Sequence, residues 1–156
     1  MDKKETSNSV DIKKYLPHRT PMLMVDLILD MDDERVETVF EIKAGNIFLE
    51  NGFFTESGLV ENMAQTCSSV VAKDYFIDEN YNDKEDVNVV GFISGIKTLK
   101  IHSLPEVGNV IYTKALLVSK FITDSYSLCT MNCKTFRGVE LLLEGEITLF
   151  IQENKS

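Results

Sequence analysis

Glu61 is the residue whose type and setting best suit proton-transfer chemistry. It lies near the start of residues 57–76, SGLVENMAQTCSSVVAKDYF, a long window in which apolar residues recur at helical spacing. The pattern predicts a helix with Glu61 in its first turn, between Val60 and Met63. There a carboxylate meets the favourable end of the helix dipole and an apolar neighbourhood, both of which affect its protonation. Glu61 is therefore a candidate acid, and the alternative is a carboxylate that only complements the dipole.

The same helix start offers a backbone donor. Ser57 is expected to cap the helix, because its hydroxyl can accept a hydrogen bond from a free first-turn amide. Gly58 follows it and exposes its N–H with no side chain in the way. The rest of the window predicts a buried stripe, which consists of Val60, Met63, Ala64, Cys67, Val71 and Tyr75.

Histidine and cysteine are scarce. The chain has two histidines, His18 and His102, and both are interpreted as structural or exposed residues. The three cysteines, Cys67, Cys129 and Cys133, are odd in number, and no second Cys or His pair accompanies them as zinc would require. We expect free, partly buried thiols, no metal site and no cofactor.

Size and composition predict one ordinary globular domain. The chain has 156 residues, 44% of them hydrophobic and 26% charged. Residues 1–9 are polar and are expected to form a disordered tail before a single domain at 10–156. No apolar run is long enough to span a membrane, and the N-terminus is hydrophilic where a signal peptide would be apolar. The expectation is a cytoplasmic protein without a membrane partner.

Charge argues against a nucleic-acid partner. Sixteen Lys and Arg residues against 25 Asp and Glu residues give a formal net charge of −9. Binding to nucleic acid depends on cations that neutralise phosphates, and this balance opposes it.

The remaining pattern is mostly strand. Asp11 is expected to cap a short helix that Pro17 ends, and residues 44–56 read as a loop that packs on the central helix. Gly91 and Gly95 indicate a bulge or a close backbone approach. Strands are predicted at residues 22–30 and 35–43, as a hairpin, and at 87–101, 110–121, 126–136 and 139–151, as a four-stranded antiparallel meander. The fold class is α+β, with one helix wrapped by one sheet.

Four motifs carry a family resemblance. Residues 16–26, LPHRTPMLMVD, resemble the LPHRxPxLLVD opening of the β-hydroxyacyl-acyl carrier protein dehydratases of the hotdog fold. Residues 61–65, ENMAQ, resemble their E-x-M-A-Q. Residues 91–96, GFISGI, are similar to their F-A-G-I strand, and residues 105–108, PEVG, to their V-x-P-G turn. The order and spacing hold over nearly the whole chain.

The resemblance implies a hotdog dimer with two acyl-substrate tunnels at the subunit interface. It implies that Glu61 is the catalytic acid and that the Gly58 N–H is a donor to the thioester oxygen. His18 and Gln65 are possible supporting residues. The residues assigned to the substrate tunnel are Phe53, Phe54, Met63 and Phe92.

One motif departs from the family. The loop before the helix reads G-H-F-P-G in the active enzymes, and its His pairs with the helix Glu of the other subunit. Here residues 50–56 read ENGFFTE, with Asn51 or Gly52 where the His should be. Such chains resemble the ApeP-like branch, associated with aryl polyene biosynthesis, in which two dehydratase-like subunits work together. We therefore expect a partner subunit that brings the histidine, although a homodimer remains an alternative.

Three functions from different classes are compatible with these residues. The first is a dehydratase subunit acting on 3-hydroxyacyl chains bound to acyl carrier protein or CoA, in fatty acid or polyene-type biosynthesis. The second is a non-catalytic acyl-binding or structural subunit. The third is an acyl thioesterase, in which Glu61 would activate water or attack the thioester. The opening motif favours the dehydratase.

Overall fold

The computed structural model describes residues 10–80 and 82–154, so the predicted tail at 1–9 lies outside the described residues. A short 3-10 helix, Ile12–Lys14, is capped by the Asp11 carboxylate as predicted. The single α-helix, α1, spans Glu56–Phe76. The strands are β1 (Val10–Asp11), β2 (Leu27–Met31), β3 (Arg35–Glu41), β4 (Leu49–Glu50), β5 (Phe53–Phe54), β6 (Val89–Ile101), β7 (Val110–Ile122), β8 (Ser127–Arg137) and β9 (Glu140–Glu153).

A seven-stranded antiparallel sheet covers α1, and β4 and β5 form a separate small hairpin. The middle of α1 is buried on more than the one predicted stripe, because Asn62, Gln65 and Thr66 are buried as well as the apolar residues. Met63, Cys67 and Val71 lie in the core as predicted, whereas Val60 and Tyr75 are only half-buried. The structure thus confirms the predicted architecture of one helix wrapped by one sheet. Among the described residues, no helix is long and apolar enough to cross a membrane.

The predicted order of strands was wrong in one respect. The sheet order is β1-β2-β3-β7-β8-β9-β6, so β7, β8 and β9 form a meander but β6 pairs with β9 at the far edge. The reason is that both edges of β7 are occupied, by β3 over seven residue pairs and by β8. The register of β6 shifts between Ile93 and Gly95, which confirms the predicted bulge.

The first predicted strand begins five residues too early. Residues 22–30 are an apolar run, but β2 starts only at Leu27. The backbone of Met22 and Met24 is bonded to amide side chains of α1 instead of to a neighbouring strand. Strand propensity is overridden there by a tertiary contact.

The helix also begins earlier than predicted. Thr55, not Ser57, is the N-cap residue, with extended backbone angles and a side-chain oxygen that accepts from the Gly58 N–H at 3.4 Å. A Thr two residues before a Ser offers the same capping chemistry, so local sequence alone did not separate them. The start at Glu56 puts Glu56 in the first turn and moves Glu61 to the next one.

Strand β6 lies at one end of the sheet, and its outer edge has no partner strand among the described residues. It is 13 residues long and exposes Val90, Phe92 and Ile96. A long, proline-free, apolar edge strand is a template for pairing with another chain. We expect β6 to pair across an interface with a second subunit.

Sedimentation at micromolar concentration should therefore give about twice the 17.7 kDa of the single chain. Ile96→Glu should reduce the mass to the single-chain value, because Ile96 is 46% exposed on the edge strand and a charge there opposes association. Val139→Glu, in the fully exposed turn after β8, is the control and should leave the mass unchanged. A wild-type mass of 17.7 kDa would contradict the expectation.

Candidate functional site

Glu61 lies past the first turn of α1, with 27% of its side chain exposed. The dipole effect falls off within the first turn, where Glu56 already supplies a carboxylate. Complementing the dipole therefore explains Glu56 better than Glu61. Glu61 is left as a partly buried carboxylate near the helix start.

Gln65 holds the Glu61 carboxylate. Its Nε2 donates to Glu61 Oε1 at 2.8 Å, one helical turn away. The same nitrogen donates to the Met22 carbonyl at 2.8 Å, and Gln65 Oε1 accepts from the Met24 N–H at 2.7 Å. The structure thus brings the predicted supporting residue into direct contact with the predicted acid.

Asn62 is a positioning residue that the sequence analysis missed. It is buried, and its Nδ2 donates to the Met24 carbonyl at 2.7 Å. Its Oδ1 accepts from the Thr113 hydroxyl at 2.6 Å, and Thr113 lies 2.9 Å from the Thr135 hydroxyl. A line of hydrogen bonds therefore runs from the sheet through α1 to residue 24. Apolar periodicity gave no signal for it, because the residues three, four and seven positions after Asn62 are the polar Gln65, Thr66 and Ser69.

His18 comes close to Glu61 within the same chain. Its Nε2 lies 3.7 Å from Glu61 Oε1, and its side chain is 30% exposed. The Nδ1 atom is buried and has no hydrogen-bond partner among the described residues. Arg19 holds this turn, since its Nη1 donates to the carbonyls of Leu16 and His18 at 2.8 Å.

Gly58 is buried beneath two aromatic residues. A Cβ atom added there would lie 2.6 Å from a ring carbon of Phe54 and 2.8 Å from the Phe48 Cβ. The Gly58 N–H is directed at the Thr55 cap, at a long 3.4 Å. Its predicted part in binding a thioester oxygen stays a prediction.

The loop that lacks the histidine is a tight hairpin. Asn51 and Gly52 connect β4 to β5, and both have positive φ, 53° and 82°. Two successive positive φ values are typical of a type I′ turn, for which Asn-Gly is the preferred sequence. Both residues are exposed at its tip.

The four residues assigned to the tunnel differ in their surroundings. Phe54 and Met63 are fully buried, and Phe54 packs edge-on against Phe48 with ring centroids 6.4 Å apart. Phe53 is 41% exposed. Phe92, 53% exposed, stacks on Phe150 of the neighbouring strand at 4.9 Å. Their role in a tunnel stays a prediction.

The cysteines do not offer a nucleophile near Glu61. All three are free and buried, and the Cys67 thiol is directed at Cys133 Sγ at 3.7 Å. That hydrogen bond, together with burial, raises the pKa of Cys67 well above its usual value. Burial raises the pKa of Cys129 to about 11. Both thiols therefore stay protonated near neutral pH.

Other features of the surface lie apart from Glu61. A groove of about 820 Å³ is lined by β2, β3, β6, β7, β8 and β9 and includes Lys100, Lys114 and Lys134, but none of the predicted site residues. Within residues 10–80 and 82–154, no three His, Cys, Asp or Glu side chains are grouped so that they could hold a metal ion.

Comparison with known proteins agrees with this architecture. The dehydratase heterocomplex ApeI:P from Xenorhabdus doucetiae contains a chain that superposes with a TM-score of 0.76 at 17% identity, covering 94% of this chain and 93% of that one. A single helix wrapped by an antiparallel sheet is the hotdog fold, and this chain has it.

Sequence comparison identifies the family. The chain belongs to the ApeP-like dehydratase family, whose model matches residues 10–156. It is 24% identical over 151 residues to the 3-hydroxyacyl-[acyl-carrier-protein] dehydratase FabZ of Coxiella burnetii, covering 84% of this chain and 99% of that protein. The FabZ of Clostridioides difficile is 25% identical over 153 residues, covering 94% of this chain and 98% of its own length.

Gly58→Ala should lower the free energy of unfolding by up to about 2 kcal/mol, measured by denaturant titration. The added methyl group would overlap the buried Phe54 ring, which costs about 1–3 kcal/mol and exceeds the gain of up to about 1 kcal/mol from replacing a helical glycine. Ser57→Ala, in the same turn and exposed, is the control and should change stability by less than about 0.5 kcal/mol. A larger loss in Ser57→Ala would instead identify Ser57 as the cap.

Proposed function

We propose that this chain is one subunit of a dehydratase that removes water from 3-hydroxyacyl chains held as thioesters on acyl carrier protein or CoA. In this proposal Glu61 acts on the leaving hydroxyl, and a related hotdog subunit brings the histidine that this chain lacks. The observation that carries it is a partly exposed Glu61 carboxylate, fixed by Gln65 through one oxygen only.

The reaction needs three groups. A base removes the C2 proton, an acid protonates the departing hydroxyl, and hydrogen-bond donors stabilise the thioester oxygen as enolate character develops. Glu61 is suited to protonate the departing hydroxyl, because Gln65 holds it in place and it lies near the surface. Among the described residues it forms no salt bridge with Lys or Arg. Gly58, one turn earlier on α1, is the proposed donor for the oxygen.

The absence of a histidine at the turn of Asn51 and Gly52 favours a second subunit that supplies the base. The turn at Asn51 and Gly52 has no group that could remove a carbon-bound proton, and general-base catalysis is typically worth about 10² to 10⁴-fold. A homodimer of this chain would contain two acid groups and no histidine from this turn. A His-bearing partner paired through β6 would complete one site with the Glu61 of this chain.

The relatives support both parts of the proposal. The FabZ proteins are described as 3-hydroxyacyl-[acyl-carrier-protein] dehydratases, and the Xenorhabdus doucetiae assembly is described as a dehydratase heterocomplex. We extend the substrate class and the two-subunit arrangement to this chain, with fatty acid or aryl polyene-type chains as the product class.

A non-catalytic acyl-binding subunit is the second candidate, because the absent histidine favours it too. The two functions differ in whether Glu61 contributes to turnover or only to structure. Exchange of that carboxylate for an amide of the same shape separates them.

The proposed function predicts that activity depends on assembly with a second subunit. The purified chain should show little dehydration of a 3-hydroxyacyl-carrier substrate, and co-expression with a His-bearing hotdog subunit should restore it. The restored activity should disappear when the partner's histidine is replaced by alanine. Turnover of about 1 s⁻¹ or more by the chain alone, as expected of a competent enzyme, would contradict the half-site arrangement.

The proposed function also predicts that turnover depends on the Glu61 carboxylate. In the assembled complex, Glu61→Gln should reduce kcat by about 10² or more because the amide cannot donate an acid proton, while stability changes by about 1 kcal/mol or less. Glu56→Gln is the matched control, since it removes a carboxylate from the first turn of the same helix and should leave kcat unchanged. Equal turnover of Glu61→Gln and wild type would favour the non-catalytic subunit.

A further inference from the structure

The two oxygens of the Glu61 carboxylate have different surroundings. Oε1 accepts from Gln65 Nε2 at 2.8 Å and faces His18 Nε2 at 3.7 Å. Oε2 has no hydrogen-bond partner within the described part of the chain. One oxygen is therefore held by the protein and the other is free to meet another molecule.

Gln65 cannot exchange its two amide atoms without losing contacts. Its Oε1 accepts from a backbone N–H of Met24, and its Nε2 donates to the Met22 carbonyl. A flipped amide would set donor against donor and acceptor against acceptor at these backbone groups. The NH₂ group is thus fixed on the side of Glu61, where it always presents a donor.

The surroundings of His18 select one neutral tautomer. A proton on Nδ1 would bury a donor without a partner and would turn the Nε2 lone pair toward a carboxylate oxygen. A proton on Nε2 is instead on the nitrogen that lies 3.7 Å from Glu61 Oε1, where the carboxylate attracts it electrostatically. These contacts favour the neutral tautomer of His18 with its proton on Nε2.

A histidine in that state is not a base for the substrate. Its free lone pair is on the buried Nδ1, which reaches neither solvent nor Glu61, and its exposed edge is already protonated. We propose that His18 is a positioning residue: it places a positive N–H edge 3.7 Å from Oε1 of Glu61, the oxygen that Gln65 holds by a hydrogen bond, and leaves Oε2 to contact the substrate hydroxyl. The assignment of Oε2 rests on the proposed function, whereas the tautomer of His18 does not.

The tautomer is measured by ¹⁵N NMR of the histidine rings in protein labelled at histidine. The chain has two histidines, and His102 is a built-in comparison, because its Nε2 also lies 3.7 Å from a carboxylate, that of Glu144, but its side chain is 45% exposed. We expect neutral His18 to show a protonated Nε2 and an unprotonated Nδ1. Glu61→Gln should shift the His18 signals and leave those of His102 unchanged. A protonated Nδ1 in neutral His18 would overturn the proposal.

Kinetics of the complex with its His-bearing partner distinguish positioning from base catalysis. His18→Gln keeps a donor nitrogen near the Nε2 position but cannot accept a proton, and His18→Ala lacks both. A positioning role predicts that Gln retains most of kcat and that Ala loses about tenfold, without loss of a limb of the pH profile. A base predicts an equal loss of about 10² or more in both variants. His102→Ala should match wild type.

Each outcome has a separate meaning. Full activity of His18→Ala, or an equal large loss in both variants, would overturn the positioning role. An inactive wild-type complex would overturn the proposed function but would leave the NMR result standing, because the tautomer depends only on the contacts within this chain. A variant that fails to assemble is recognised by its sedimentation mass, and the NMR measurement on the wild type then decides.

Discussion

The side-chain amides of Gln65 and Asn62 tie residues 22–24 to the central helix, and the candidate site depends on that connection. Three backbone groups that would otherwise pair with a strand bond to these two residues. Removing either partner would leave buried polar groups unsatisfied, at about 1–3 kcal/mol each. The contact therefore fixes the segment that follows His18 relative to the helix that carries Glu61.

Burial on several sides explains why α1 carries polar residues in its middle. Most of the middle of α1 is buried, so each polar side chain there needs a partner. Thr66 is 2.8 Å from Thr38 of β3, and Asn62 is bonded to Thr113 of β7. These pairs set the rotation of the helix against the sheet, and Glu61 takes its orientation from that rotation.

Local patterns predicted the elements well, and non-local contacts account for the errors. The end of α1 at Phe76 and the start of β7 at Val110 agree with the prediction, because periodicity and turn residues determine them. The position of β6 beside β9 depends on which strand already occupies β7, and no local signal carries that. Glu61 was found from its type and neighbours, whereas the contact between His18 and Glu61 joins residues 43 positions apart and could not be read from spacing.

The turn at Asn51 and Gly52, which lacks the histidine, is constrained by its backbone conformation as well as by its sequence. Asn51 and Gly52 close a hairpin whose strands are only two residues long, so the turn must be tight and its residues lie exposed at the tip. Phe54, two residues after Gly52, fills the space next to Gly58. A histidine placed at the tip would lie on the exposed outside of a closed hairpin. The base that we propose for a second subunit would require no change to this hairpin.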